Sequence, residues 1–235
     1  MMTRVPQQKG VRGSLKWIQG AVNDRWQSLE EPILANLQSA GSIEWVSPRE
    51  SDDFAEYRDG AFLEVLGHSD LSAALKQFWP AGGPQWDALG RTDQGDILLV
   101  EAKAHVGEMC SPPTAASNFS RERIRQRLDE VALRLGARAM RAPWTDFFYQ
   151  LGNRIAHLEF LRGQGVRAHL VLVNFLNDSD MGGPATPEAW RVAYQVAFHV
   201  MGIPKRHALS PFILDVYPDV RGVNGVPTPH RVRQA

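Results

Sequence analysis

Cysteine is nearly absent, Cys110 being the sole one. No disulfide can close within the chain, and nothing points to an oxidising compartment. A zinc site built from several cysteines of this chain is excluded too. Net charge is also missing, since 26 Lys and Arg balance 26 Asp and Glu. Proteins that coat nucleic acid through bulk charge are basic as a rule, so any such contact must come from a local patch. The longest apolar runs, such as 97–100 and 170–173, are far too short to span a bilayer. The N-terminal segment has basic residues but no apolar stretch of the signal-peptide kind. A cytoplasmic protein without membrane contact is the expectation. There is no glycine-rich phosphate loop, no GxGxxG after a strand, no GxSxG elbow and no HExxH helix. Those absences remove the commonest rival enzyme classes.

What the chain does have is core material. Of 235 residues, 43% are apolar, with seven Trp and ten Phe. That suits one α/β domain over 15–217, with flexible ends at 1–14 and 218–235. Apolar spacing predicts a helix over 15–38, kinked at Pro32, and further helices over 52–66, 70–79, 121–140 and 143–162. Thr186-Pro187-Glu188 reads as the start of another, over 187–201. Strands are expected over 85–91, 96–105, 167–176 and 211–217, with 43–46 a candidate. Helices, a hairpin, helices, a strand and a helix in that order imply a mixed sheet.

The hairpin carries the chemistry. Asp93-Gln94-Gly95 makes a good three-residue turn, because Gly95 can take the left-handed position. If Thr92 faces Asp96, Asp87 lies directly opposite Glu101, with Cβ atoms roughly 5 Å apart. Lys103, two residues on, shares that face. Ile97 to Val100 is apolar on both faces, as in a central strand covered on both sides. Charges at the end of such a strand are costly unless paired or bound to a metal. Two converging carboxylates without a cation would push one toward protonation. A divalent ion that favours oxygen, Mg2+ or Mn2+, resolves the conflict.

Asp87, thirteen intervening residues, then Glu101-Ala102-Lys103 resembles the PD-(D/E)xK nuclease superfamily, with Trp86 where the motif's name has proline. The resemblance covers roughly 50–176 and implies a restriction-endonuclease-like α-β-β-β-α-β core. It implies metal-dependent hydrolysis of phosphodiester bonds in DNA or RNA. Asp87 and Glu101 would hold the metal and Lys103 would be the catalytic lysine. An acid from the preceding helix often joins them, and Glu64 is the candidate here, with Glu56 and Glu31 as rivals. Many nucleases act as dimers, which leaves a homodimer open.

Each reading has a plainer counterpart. Asp87, Glu101 and Lys103 could form a cross-strand salt bridge without metal, or sit in an inactive binding or scaffold protein that keeps the fold. Gln150, Asn153, Arg154 and His157 form one polar stripe on a helix. That stripe is either a row beside the site, with Gln150 or Arg154 reaching substrate, or a solvated face. His105 extends the hairpin face toward substrate phosphate, or is an exposed strand-end histidine. Arginines between 121 and 141 make the strongest basic cluster, read either as a nucleic-acid contact or as helix surface paired at i,i+4.

Overall fold

The run Ile97–Lys103 (ILLVEAK) is buried along its whole length, and it forms the middle strand of a five-stranded sheet. The computed structural model describes residues 2–37, 40–113 and 115–224. Its strands are β1 (Met2–Val5), β2 (Ile43–Ser47), β3 (Glu56–Asp59), β4 (Ala88–Thr92), β5 (Ile97–Lys103), β6 (Ala168–Asn174) and β7 (Ile213–Val216). The main sheet has the order β2-β4-β5-β6-β7. β2 and β5 each run antiparallel to β4, and β6 and β7 continue parallel to β5. β1 and β3 pair separately as an antiparallel ribbon.

The expected hairpin register holds. Ala88 faces Val100, Leu89 faces Leu99 and Arg91 faces Ile97. The Thr92 N–H donates to Asp96 O at 2.9 Å, and Gly95 has φ 80°. A side chain at Gly95 would be strained in that left-handed conformation, so the turn needs its glycine. The candidate strand at 43–46 is a full member of the sheet, so the core begins before residue 50.

Each face of the sheet is covered. Leu98, Val100 and Ala102 pack with Val171, Val173 and the helices α1 (Gly13–Asn23) and α2 (Gln27–Asn36). Ile97 and Leu99 face the opposite way, into a larger core. That core includes α3 (Gly60–Val65), α4 (Ser72–Phe78), α5 (Asn118–Arg134), α6 (Tyr149–Gly163) and α7 (Pro187–Val200). Alternation along the strands puts Asp87, Glu101 and Lys103 on the second face, with Leu89 and Leu99.

Four expectations need correction. Residues 52–66 are not one helix: Glu56–Asp59 is a strand, and only Gly60–Val65 is helical. Its partner is β1, so residues 2–5 are an ordered strand, not part of a flexible end. The helix expected over 15–38 breaks at Asp24 to Trp26, where Arg25 has φ 52°, and Pro32 is accommodated inside α2. The tail keeps structure through a short 3-10 turn at Val220–Asn224, and Val220 is buried. Residues 225–235, and Gln38 at the end of the expected first helix, lie outside the described residues. No helix among the described residues is long and apolar enough to cross a membrane.

Candidate metal and catalytic site

β4 and β5 deliver the acids side by side. Asp87 sits just before β4, and its Oδ2 accepts the Ala102 N–H at 2.7 Å. Glu101 is 3% exposed and lies between two cations. Its Oε2 accepts from Arg154 Nε at 2.6 Å, and its Oε1 accepts from Lys103 Nζ. Lys103 Nζ also donates to Gln150 Oε1 at 3.2 Å. Arg154 reaches across from α6, donates to the Gln85 carbonyl at 2.7 Å and stacks 5.0 Å from the centre of the Trp86 ring.

A third acid comes from β3. Glu56 is buried, and its Oε2 accepts from Gln7 and Gln85. The structure therefore brings Glu56 to the cluster. Glu64 is exposed on α3, and Glu31 is exposed on α2. The reason is phase: Ala61, Phe62 and Leu63 turn into the core, so the following residue points out.

The charges respond as crowded carboxyls should. Burial first, then the neighbouring Glu101 and Glu56, push Asp87 up to about 8, against the counter-pull of Lys103 and Arg154. Burial also raises Glu101, but Arg154 and Lys103 outweigh it and hold that carboxyl below its usual range. Burial drives Glu56 upward, only partly offset by Gln85 and Arg154. Three carboxyls share the site with two cations, both of which pair with Glu101, so among the described residues Asp87 and Glu56 form no ion pair.

A hard, well-hydrated cation would have Asp87 Oδ1 as its freest donor, since both Glu101 oxygens accept from Lys103 and Arg154. Asp87 Oδ1 accepts no hydrogen bond among the described residues. Mg2+ commonly binds through one or two carboxylates and keeps several waters. Among the described residues, no three His, Cys, Asp or Glu side chains could enclose an ion unaided. Asp87 and Glu101 would hold the ion at its protein side and water would complete its shell.

The polar stripe of α6 does not face solvent. Asn153, Arg154 and His157 are 5%, 4% and 1% exposed, with Arg154 reaching Glu101 on β5 and His157 packed among Phe62, Phe78 and Trp79. Gln150 and Arg154 are thus brought to the carboxyl cluster, where they meet Lys103 and Glu101. His105 is not. Its backbone and side chain turn to Glu108, which caps the 3-10 turn Val106–Met109. The basic helix α5 is largely self-neutralised. Arg125 pairs with Glu122 and Asp129, Arg127 with Glu130, and Arg134 with Glu159.

Two clefts meet at the cluster and share Asp87, Ser111, Pro112 and Gln150. One of about 440 Å3 runs along Glu56, Gly83, Gln85 and Arg154. The other, of about 330 Å3, opens over Glu101, Lys103, Glu108 and Ser14. Gln7, which the pairing of β1 with β3 brings to Glu56, gives no sequence signal, and neither do Gln85 and Glu108, which lie two and five residues from Asp87 and Lys103 but outside any motif. Compared with protein-family models, curated proteins and solved structures, the chain matches none.

Proposed function

We propose that this protein is a metal-dependent nuclease of the restriction-endonuclease-like type, hydrolysing phosphodiester bonds of DNA or RNA with Mg2+ or Mn2+. One observation carries the reading: Asp87, just before β4, and Glu101 on β5 converge beside Lys103 at the mouth of a cleft, and Asp87 forms no ion pair among the described residues. Element order supports it. Helices α1 and α2, then β2, β4 and β5, then α5 and α6, then β6, follow the α-β-β-β-α-β sequence, with β3, α3 and α4 inserted.

In this reading a water attacks phosphorus, one P–O bond breaks, and the products are a phosphate monoester and an alcohol. A divalent ion held by Asp87 and Glu101 would supply charge neutralisation and would lower the pKa of a bound water. Lys103 donates to Glu101 and Gln150, and in this reading it would also donate to the developing phosphorane charge. Gln150 orients Lys103 and lines both clefts. Arg154 holds Glu101 in place from α6.

A second reading has its own observation. Glu101 already satisfies both cations, as a structural ion-pair network in an inactive scaffold would. Calorimetric titration of Mn2+ into wild type and Asp87→Ala, beside plasmid and single-strand cleavage assays, separates the two. The nuclease reading expects metal binding lost in Asp87→Ala and cleavage present only with metal. Metal binding indifferent to Asp87→Ala would sink the site. Metal binding without cleavage of any nucleic acid would favour the scaffold.

A further inference from the structure

The acids of this neutral chain are unevenly spread. None falls between Glu130 and Asp146, and none between Glu188 and Asp215. The fold lays one acid-free stretch against the other. The Arg138 N–H donates to the Gly202 carbonyl at 2.9 Å, and the Arg141 N–H to the Val200 carbonyl at 2.8 Å. Pro204 lies against Gly136. Arg138 and Arg141, past the end of α5, therefore share a surface with Lys205 and Arg206, past the end of α7. All four are exposed. Among the described residues none of the four pairs with a carboxylate, whereas Arg134 is held by Glu159 and Arg191 by Glu188. Like charges gathered this way, without acids between them, attract a polyanion.

A pinned segment leads from this patch to the cleft. The buried Trp144 donates from Nε1 to the Met201 carbonyl at 2.8 Å. Further on, the Phe147 carbonyl accepts the Ser111 N–H at 2.8 Å, and the Gln150 N–H donates to Ser111 Oγ at 3.0 Å. Ser111 and Gln150 line both clefts of the carboxyl cluster. Even fully extended, the chain from Arg141 to Gln150 would span only about 30 Å. Phe147 stands on this path and is 62% exposed. Tyr149, two residues on, lines the larger cleft. The single acid on the path, Asp146, accepts from Thr145 Oγ1 at 3.3 Å.

We propose that this surface binds single-stranded nucleic acid, its phosphates on Arg138, Arg141, Lys205 and Arg206 and one base stacked on Phe147. A cationic track joined to an aromatic platform holds single strands whatever their sequence, because every base has a face to stack. A duplex would meet the same cations but keep its bases stacked inside, leaving the ring unused. The clefts beyond, of about 440 and 330 Å3, are of small-molecule size, which suits nucleotides of one strand. That the strand continues to Asp87 and Glu101 rests on the nuclease reading, whereas the binding does not.

The test is fluorescence anisotropy on the full chain in EDTA, with a labelled single strand of about 16 nucleotides and the matching duplex. Sedimentation with phosphatidylserine vesicles is run beside it. The single strand is expected to bind at least roughly tenfold more tightly than the duplex. Arg141→Gln combined with Lys205→Gln should flatten the slope of log affinity against log salt by about 1.4, the loss of two phosphate contacts. Phe147→Ala should weaken the single strand roughly tenfold, with the duplex and the salt slope unchanged. Phe147→Trp, which keeps a ring, should bind as wild type does. These side chains are exposed, so thermal melts should stay near wild type. Equal affinity for strand and duplex would reduce the patch to a general polyanion site and overturn the proposal. So would binding indifferent to the paired cation variant or to Phe147→Ala, no binding at all, or stronger uptake by the vesicles. Single-strand binding without metal-dependent cleavage would sink the nuclease reading alone. Cleavage without any preference for single strands in binding would sink the surface alone.

Discussion

The Asp87 carboxylate accepts the backbone N–H of Ala102 at 2.7 Å, so the start of β4 is stitched to β5 between Glu101 and Lys103. One oxygen of Asp87 has a structural task and the other faces the cluster. The two tasks can be separated by substitution. Asp87→Asn keeps an acceptor for Ala102 and should leave stability close to wild type while abolishing metal binding. Asp87→Ala loses both and should cost a further 1–3 kcal/mol, roughly the cost of an unsatisfied buried amide. Urea denaturation alongside Mn2+ titration reads both. Equal stability of the two variants would contradict the stitch.

Glu56 and Glu64 offer the sharpest choice between a sequence expectation and the structure. Glu56 is buried beside Gln85 within reach of Arg154, and Glu64 is exposed. Glu56→Gln is expected to weaken Mn2+ binding by about 10-fold to 100-fold, the usual effect of an outer partner at a metal site. Glu64→Gln should leave the affinity unchanged. The reverse outcome would move the upstream acid back to α3.

Arg154 and Glu101 form a buried ion pair across 53 residues of sequence. Removing Arg154 leaves Glu101 buried with Lys103 as its remaining cation, so Arg154→Met should destabilise the fold by about 3 kcal/mol, the low end for breaking a buried pair. Adding Glu101→Gln should recover part of that loss. A double-mutant cycle with additive effects would show that the pair does not couple.

His157 gives the fold a pH dependence of known sign. Its folded pKa is about 3, held down by burial, whereas an unfolded imidazole titrates near 6.5. The unfolded chain therefore binds the proton that the folded chain refuses. Stability from this group is full above pH 6.5 and falls as pH drops toward 3. Between pH 7 and pH 5 the loss should be about 2 kcal/mol. His157→Phe keeps a ring among Phe62, Phe78 and Trp79, and it should lose correspondingly less over that interval in urea melts. Parallel pH profiles for both proteins would refute the assignment.

The hairpin was legible in the sequence because its information is local. The turn glycine, alternation and pairing from Thr92 fix the register within a few residues. The helix start at Pro187 was local in the same way. Glu56 was not legible as a strand residue, because its partner β1 lies more than fifty residues upstream and Ala61 to Leu66 reads as helix. Nor could spacing reveal that Arg154 would meet Glu101. That contact depends on α6 crossing the face that holds Leu99 and Leu89.

The same long-range contact governs when the site can exist during synthesis. Ribosomes deliver Asp87, Glu101 and Lys103 early, but Gln150 and Arg154 emerge only some fifty residues later. Parallel β6, which flanks β5 from Ile97 to Lys103, follows later still. A growing chain thus carries its acids exposed and unaligned until α6 and β6 have left the exit tunnel. Whatever chemistry the cluster performs begins only once the chain through Asn174 is free to fold.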